Sequence, residues 1–423
     1  LMNVYIETHG CKLNIADSQK ISDKLLSSGM EISNNIKDSD IYVLNTCTVT
    51  KSADKKVRNK LRSIKKQNPN IHVVATGCYV QRDKKEISEL GIVNTIINNE
   101  EKDNFLDILS KDVKFKFDKK LEQNNIDNIL LGRTRGSVAI QKGCNQICSY
   151  CIVPKVRGRE ESISPESIIN RINYLVDRGC LEVVLTGTQL GTYGYDLDNI
   201  NLTKLLLSIL NNTKIRRLRL SSVQPHEFND DLLNLWNNKK YQKRLCPHFH
   251  IPLQSGSDAI LKEMRRKYST KQFSSIVTHI RSKIPNSSIT TDLIVGFPGE
   301  TKLDHDNTKD LLMNLELSDI HVFPYSIRPG TTAFYLKEKV QSSIITERSK
   351  EIREIAKNLN NKHLNSLVNT KQKVLWEKKS PYSGYTENYS YFKLISKKDP
   401  SQQISEVLIS SIDNESNLVG ILN

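Results

Sequence analysis

Gly143-Cys144-Asn145-Gln146-Ile147-Cys148-Ser149-Tyr150-Cys151 puts three thiols into eight residues with the spacing C-x3-C-x2-C. The run follows an apolar stretch, Val138–Gln141, that reads as a strand. Three thiolates this close can bind three irons of a cubane cluster and leave the fourth iron open. A catalytic metal needs such an open position, because substrate or cofactor must reach it. Zinc is the competing occupant, but structural zinc takes four ligands and no fourth Cys or His lies nearby in sequence. Behind the motif, strands fit Glu182–Thr186, Arg217–Ser221, His248–Ile251, Ser288–Val295 and Asp319–Phe323. Helices fit Pro165–Arg178, Leu202–Leu210, Asn229–Trp236, Thr270–Ile284 and Lys302–Leu315. Six βα units predict an open or partial barrel with its chemistry at the C-terminal strand ends. Ile344–Asn365 reads as a long charged helix that closes this unit.

Upstream, Val4–Thr8, Ile41–Asn45, Val73–Thr76 and Thr95–Ile97 read as buried strands. They alternate with helices at Ala16–Ser28, Ser52–Lys66 and Arg82–Leu90, the pattern of a doubly wound parallel sheet. A polar stretch, Asn98–Asn128, reads as a connector with little core of its own. The tail differs. Val374–Glu377, Tyr382–Thr386, Tyr391–Ile395, Ser405–Ser410 and Leu418–Leu422 are short strand-type runs between Gly, Asn, Asp and Pro, which predicts a small OB-like β-barrel. The expected fold class is therefore α/β, in three units: 1–115, 130–365 and 366–423.

The 423 residues carry 62 Lys+Arg against 47 Asp+Glu, a net charge of +15, and are 37% hydrophobic. The mean hydropathy is −0.46. No apolar run approaches the roughly 18 residues of a membrane span. The N-terminus lacks the basic and apolar regions of a signal peptide. A membrane partner is thus not expected, and a cytoplasmic location is. Residues 133–365 hold 34 basic against 23 acidic side chains, net +11, so the excess charge lies in the middle of the chain.

Three further cysteines repeat one position. Cys11, Cys47 and Cys78 each follow a predicted strand by two or three residues, and loops after neighbouring parallel strands share one sheet edge. Gly10 and Gly77 precede two of them, which suits close approach of backbone to an inorganic cluster. A second three-thiolate iron–sulfur cluster is expected there. Cys180 and Cys246 stand outside both triads and read as small buried hydrophobes.

The C-x3-C-x2-C run, with Tyr150 before its last cysteine and six βα units behind it, resembles the radical S-adenosylmethionine (radical SAM) superfamily. Thr8-His9-Gly10-Cys11-Lys12-Leu13-Asn14, Asn45-Thr46-Cys47, Gly77-Cys78, Ile152-Val153-Pro154, Arg157-Gly158-Arg159, Leu185-Thr186-Gly187 and Arg219-Leu220-Ser221-Ser222 narrow the resemblance to the methylthiotransferase family, as do His250–Ser257 and Thr291–Glu300. The likeness covers essentially the whole chain. Gly10–Asn14, Leu190–Gly194 and Gly384–Tyr389 look most like the branch that acts on N6-threonylcarbamoyladenosine in tRNA. One departure is Gln224, which stands where an acid is expected.

The resemblance implies two [4Fe-4S] clusters, one on Cys144, Cys148 and Cys151 and an auxiliary one on Cys11, Cys47 and Cys78. It implies S-adenosylmethionine as both radical source and methyl donor, with tRNA as substrate methylthiolated at C2 of adenosine 37. An electron donor (flavodoxin- or ferredoxin-like) and a sulfur donor are the further partners implied. Isopentenyladenosine in tRNA or a ribosomal protein is the alternative substrate. No acid–base residue is expected to be catalytic, since the C2–H bond is unactivated. Tyr150, Gly187, Thr188, Ser221, Ser222, Gly296 and Glu300 are the expected S-adenosylmethionine contacts. Lys55, Arg58, Arg62 and Lys65 on one helix face, with Arg157 and Arg159, are the expected RNA-phosphate contacts. The tail resembles a TRAM RNA-binding domain, whose Tyr385 and Tyr389 can either stack on bases or fill the barrel.

Overall fold

The computed structural model describes residues 2–114, 125–379, 382–395, 400 and 403–422. The first unit is a five-stranded sheet of β1 (Asn3–Thr8), β2 (Glu31–Ile32), β3 (Ile41–Thr46), β4 (His72–Gly77) and β5 (Thr95–Ile97), in the order β2-β1-β3-β4-β5. Every pairing is parallel. All six residues of β3 are buried, as a central strand covered on both faces requires. One cover is the helix Lys51–Gln67, capped by the Thr50 side chain on Ala53 N. Its Val57, Leu61 and Ile64 share one face and pack on Tyr42, Leu44, Val73 and Ala75. The other cover is the helix Lys12–Ser27, through Ile21 and Leu25.

Two sequence expectations change here. The helix expected at Arg82–Leu90 is two short ones, Cys78–Arg82 and Lys84–Ser88, because Asp83 leaves helical geometry (φ −151°, ψ 74°) and caps Glu86 N. The expected connector 98–128 contains the helix Phe105–Asp112, whose Phe105 and Leu109 are fully buried in the core of the first unit. Residues 115–124 of that stretch lie outside the described residues.

The middle unit opens with β6 (Arg135–Ala139) and a two-stranded ribbon, β7 (Gln141–Lys142) with β8 (Glu161–Ser162), which brackets the C-x3-C-x2-C loop. Then come β9 (Glu182–Thr186), β10 (Arg217–Leu220), β11 (His248–His250), β12 (Ser288–Val295) and β13 (Asp319–Pro324). β6, β9 and β10 form one parallel sheet, and β11, β12 and β13 another. Single parallel bridges, Leu218 to Leu245 and Ser222 to His250, stitch β10 to β11. The result is the six-stranded partial barrel that the alternation predicts.

The tail forms a closed barrel of β14 (Lys371–Lys379), β15 (Tyr382–Thr386), β16 (Tyr391–Leu394), β17 (Ile404–Ile412) and β18 (Leu418–Leu422), ordered β14-β15-β16-β18-β17. Only β16 with β18 is parallel. The 26-residue helix Ser342–Leu367 joins the two units. Ile352 and Ala356 enter the core of the partial barrel, and Leu364 and Leu367 enter the core of the small one.

Candidate active site

The first cysteine triad gathers at one sheet edge. Cys11 caps the helix Lys12–Ser27, Cys47 follows β3, and Cys78 starts the helix after β4. Asn14 ties the three loops together. Its Nδ2 donates to His9 O at 2.7 Å and Thr46 O at 3.0 Å, and its Oδ1 lies 3.9 Å from Cys78 Sγ. Gly10 and Gly77 have φ of 103° and 99°. A Cβ on Gly10 would lie 2.9 Å from Cys47 Sγ, so only glycine lets the loops close this far. Burial first, then the charges of Cys78 and Cys11, push the Cys47 thiol up to about 11. Metal binding relieves this cost, since it stabilises the thiolate.

The second triad lies at the C-terminal end of the partial barrel, in a loop folded by Cys144 N to Gly158 O (3.1 Å) and Cys151 N to Cys148 O (3.1 Å). Cys151 is pushed up to about 12 by burial and by the neighbouring Cys148 and Cys144 charges. A chain of side chains runs around the loop. Cys144 Sγ faces Gln189 Oε1 at 3.3 Å, Gln189 Nε2 donates to Glu227 Oε1 at 2.7 Å, and Gln224 N donates to Glu227 Oε2 at 2.9 Å. Arg266 then donates to Gln224 Oε1 at 2.8 Å and to Cys148 Sγ at 3.2 Å. Glu227 thus supplies an acid three residues after Gln224, while the Gln224 amide bridges Gln146 and Arg266.

Among the described residues, the group of three Cys, His, Asp or Glu with ligand atoms all within 4.8 Å of one another is His250–Asp292–His321, and neither cysteine triad is such a group. A single tetrahedral zinc, with bonds of about 2.3 Å, needs its sulfurs roughly 3.8 Å apart. Three thiols with an arginine on one sulfur suit an anionic multi-iron cluster with an open iron better than a four-ligand zinc ion.

The residues expected at S-adenosylmethionine fall into two sets. Gln141 Oε1 accepts from Thr188 N at 2.9 Å and Gln189 N at 3.0 Å, while its Nε2 donates to Gly143 O at 2.8 Å. Gly187 and Thr188 are thereby locked against the cysteine loop. The Ser221 hydroxyl is buried at the end of β10 without a partner, a free group of the kind a ligand uses. Ser222 follows it and bridges to His250. Tyr150 packs half-buried against Ile260, Met264 and Phe297, and the Arg266 charge faces it.

Gly296 and Glu300 have close partners within the fold. A Cβ on Gly296 would run into Ile345 of the long helix, not into open space. Glu300 accepts from Gly296 N at 3.1 Å and pairs with Arg348 at 2.6 Å, so both carboxylate oxygens are already used.

The expected RNA contacts also divide. Lys55, Arg62 and Arg159 are exposed. Arg58 is held by Glu86 at 3.0 Å and by Tyr79, and Lys65 donates to Ile71 O at 2.8 Å. Arg157 is no surface contact. Its side chain is 7% exposed, pairs with Asp17 at 2.8 Å and donates to Cys78 Sγ at 3.2 Å. Tyr385 and Tyr389 stack on each other at 4.8 Å, with Arg135 and Arg219 against their rings, so they face the partial barrel rather than solvent. A cleft of about 620 Å³ between the partial barrel and the tail, lined by Lys214, Arg216, Lys243 and Lys373, supplies basic surface instead.

Residues 3–98 match the uncharacterized protein family UPF0004, and residues 138–312 match the Radical SAM superfamily. The threonylcarbamoyladenosine tRNA methylthiotransferase MtaB of Aquifex aeolicus is 37% identical over 84% of this chain and 88% of its own length. The chain belongs to the radical SAM methylthiotransferase family. Other relatives of this family include the MtaB protein of Bacillus subtilis, 32% identical over 92% of this chain and 89% of its own. The tRNA-2-methylthio-N(6)-dimethylallyladenosine synthase of Hydrogenobaculum sp. is 33% identical over 97% of each chain. Among solved structures, the radical S-adenosylmethionine methyltransferase TsrM of Kitasatospora setae shares the fold at 14% identity, with TM-score 0.56 over 78% of this chain and 76% of its own. As a radical SAM methylthiotransferase, the chain uses S-adenosylmethionine and [4Fe-4S] clusters, and the donor sets above fit them. No helix of the described residues is long and apolar enough to cross a membrane.

Proposed function

We propose that this methylthiotransferase modifies C2 of N6-threonylcarbamoyladenosine at position 37 of tRNA, in the cytoplasm, with S-adenosylmethionine as radical source and methyl donor. The observation that carries the reading is the meeting of the two cysteine triads. Arg157, six residues after Cys151, reaches across the domain boundary to Cys78, so the radical site and the sulfur-bearing site share one wall. The names of the Aquifex and Bacillus relatives support this substrate.

When bound, the Cys144/Cys148/Cys151 cluster with S-adenosylmethionine supplies a carbon radical able to attack an unactivated C–H bond, and the auxiliary cluster supplies sulfur. The chain's own residues hold and position these groups. Gln141 fixes the Gly187–Gln189 loop beside the first cluster, Ser221 offers a buried hydroxyl, and Arg157 and Arg266 each place a cation on a sulfur. Cys11 is the exposed member of its triad, accessible to an arriving base. The unit division 1–115, 130–365 and 366–423 assigns sulfur, radical and RNA binding in that order. A flavodoxin- or ferredoxin-like electron donor and a sulfur donor complete the cycle.

The test is nucleoside mass spectrometry of tRNA after incubation with the anaerobically reconstituted chain. Appearance of the 2-methylthio derivative of threonylcarbamoyladenosine supports the reading. Product only on dimethylallyladenosine, or only on a ribosomal protein, overturns it.

A further inference from the structure

Lys12 immediately follows Cys11, and its side chain enters the space where the three units meet. Its Nζ lies 5.6 Å from the Tyr389 ring centroid. Among the described residues it has no hydrogen bond or ion pair. Around it stand two arginines of the partial barrel. Arg135 lies 4.7 Å from the Tyr385 ring centroid and 5.0 Å from that of Tyr389, and Arg219 lies 4.7 Å from Tyr389.

The cations here outnumber their counter-charges. Glu182 binds Arg219 Nε at 2.7 Å and lies 3.6 Å from Arg217, while Glu377 takes Arg135 Nη2 at 2.7 Å. Asp292, the next acid, is held by His250 and His321 at 3.1 Å each. Three carboxylates, Glu182, Glu377 and Asp292, therefore face the four cations Lys12, Arg135, Arg217 and Arg219, and Asp292 is shared with two imidazoles. Arg219 is fully buried, and its Nη2 and the Nη1 of Arg135 are buried without a hydrogen-bond partner. Glu182 Oε2 also lacks a hydrogen bond, but it already lies beside Arg217. Buried guanidinium N–H groups without an acceptor are costly unless an anion completes them. The arrangement leaves two guanidinium nitrogens and one ammonium for an oxyanion to complete.

The modified base brings such an anion. A threonylcarbamoyl group ends in a carboxylate, whereas a dimethylallyl group is an uncharged hydrocarbon. We propose that Lys12, with the free guanidinium nitrogens of Arg135 and Arg219, binds the threonyl carboxylate of the substrate base and selects it over a hydrocarbon substituent. The assignment rests on the substrate reading above. It places the recognition group one residue from a ligand of the auxiliary cluster, so the substituent is gripped where the base must lie to receive sulfur. Lys12 is a specificity residue here, since it acts on the substituent and not on C2. An RNA phosphate presents the same oxyanion chemistry, and the test separates the two.

The test uses the full chain with both clusters reconstituted and three anticodon stem-loop RNAs of one sequence. They carry threonylcarbamoyladenosine, its neutral carboxamide analogue, or dimethylallyladenosine. Kd is read by fluorescence anisotropy, and KM and kcat by product mass. In the unaltered enzyme, the carboxylate RNA is expected to bind at least about tenfold more tightly than the carboxamide. Lys12→Gln should raise Kd and KM for the carboxylate RNA by about 10- to 100-fold, with iron content and kcat kept and the carboxamide RNA unaffected. Lys12→Arg should restore most of the binding, and Arg135→Gln should repeat the selective loss. Equal weakening for all three RNAs would assign Lys12 to a phosphate and overturn the proposal, as would loss of iron or kcat without a change in Kd. Should the unaltered enzyme convert only the dimethylallyl RNA, the substrate reading itself fails, whatever Lys12 does.

Discussion

Arg157 Nε lies 3.2 Å from Cys78 Sγ although the two residues belong to different units of the molecule. The same guanidinium pairs with Asp17 at 2.8 Å and with Asn14, so one side chain joins the radical loop to the auxiliary triad. Arg266 stands in the same relation to Cys148, at 3.2 Å. Each triad therefore has one arginine on one sulfur, which would offset the negative charge of a thiolate-bound cluster and donate a hydrogen bond to it.

Removing the Arg157 contact should cost the auxiliary cluster selectively. Arg157→Gln leaves Cys144, Cys148 and Cys151 untouched but strips a cation from Cys78. Reconstituted iron is expected to fall from about eight per chain toward about four, with S-adenosylmethionine cleavage retained and methylthio product lost. Iron analysis beside 5′-deoxyadenosine formation checks it. Retention of all the iron together with full activity would contradict the role.

Arg266→Leu should do the reverse. It frees Cys148 and breaks the Gln224 link, so 5′-deoxyadenosine formation should fall by about 10- to 100-fold. The auxiliary cluster should keep its irons. Gln224→Glu offers a charge partner to Arg266 and is expected to be milder, which single-turnover cleavage assays would resolve.

What could be read from sequence, and what could not, follows from the range of each signal. The grouping of the cysteines was legible because three of them share a short loop and three repeat one offset from a strand. Burial was not legible. Arg157 looked like a phosphate contact because its charge is visible in sequence, while its partners, Asp17 and Cys78, lie far away along the chain. Tyr385 and Tyr389 carried the right chemistry for stacking on bases, but the arginines that cover them sit on β6 and β10. Gly296 and Glu300 were assigned to cofactor from their place after a strand, whereas Ile345 and Arg348 of the closing helix claim them. Gln141, Gln189 and Glu227 drew no attention, since uncharged or isolated polar residues give no local pattern and act only once the loops converge.

Gly77 should tolerate no side chain. Its φ of 99° is in the left-handed region, and a Cβ would lie 2.5 Å from both Asn45 Oδ1 and Thr46 O. Gly77→Ala is expected to destabilise the first unit by about 2–3 kcal/mol and to lower auxiliary iron as Cys78 shifts. Urea unfolding of the full chain, followed with iron analysis, checks both effects. A stability change within about 0.5 kcal/mol would show that the loop relaxes freely.

His363 gives the join between the long helix and the small barrel a pH dependence. Burial, with a smaller contribution from the Arg281 charge, lowers its imidazole to about 4. Its Nε2 lies 3.5 Å from Ser390 Oγ of the barrel. The unfolded chain, with an ordinary imidazole near 6.5, takes up the proton first as pH falls. Stability from the neutral ring is thus complete above about pH 6.5 and is lost progressively toward pH 4, by roughly 3 kcal/mol. His363→Gln removes the titration and should flatten that slope without altering stability above pH 7 by a similar amount. Trp376 is buried in the barrel core, so its fluorescence in a Trp236→Phe background reports unfolding of this unit. Urea midpoints measured from pH 7.5 to 4.5 should fall in the parent and hold nearly level in the variant. Parallel slopes would place the proton uptake on another group.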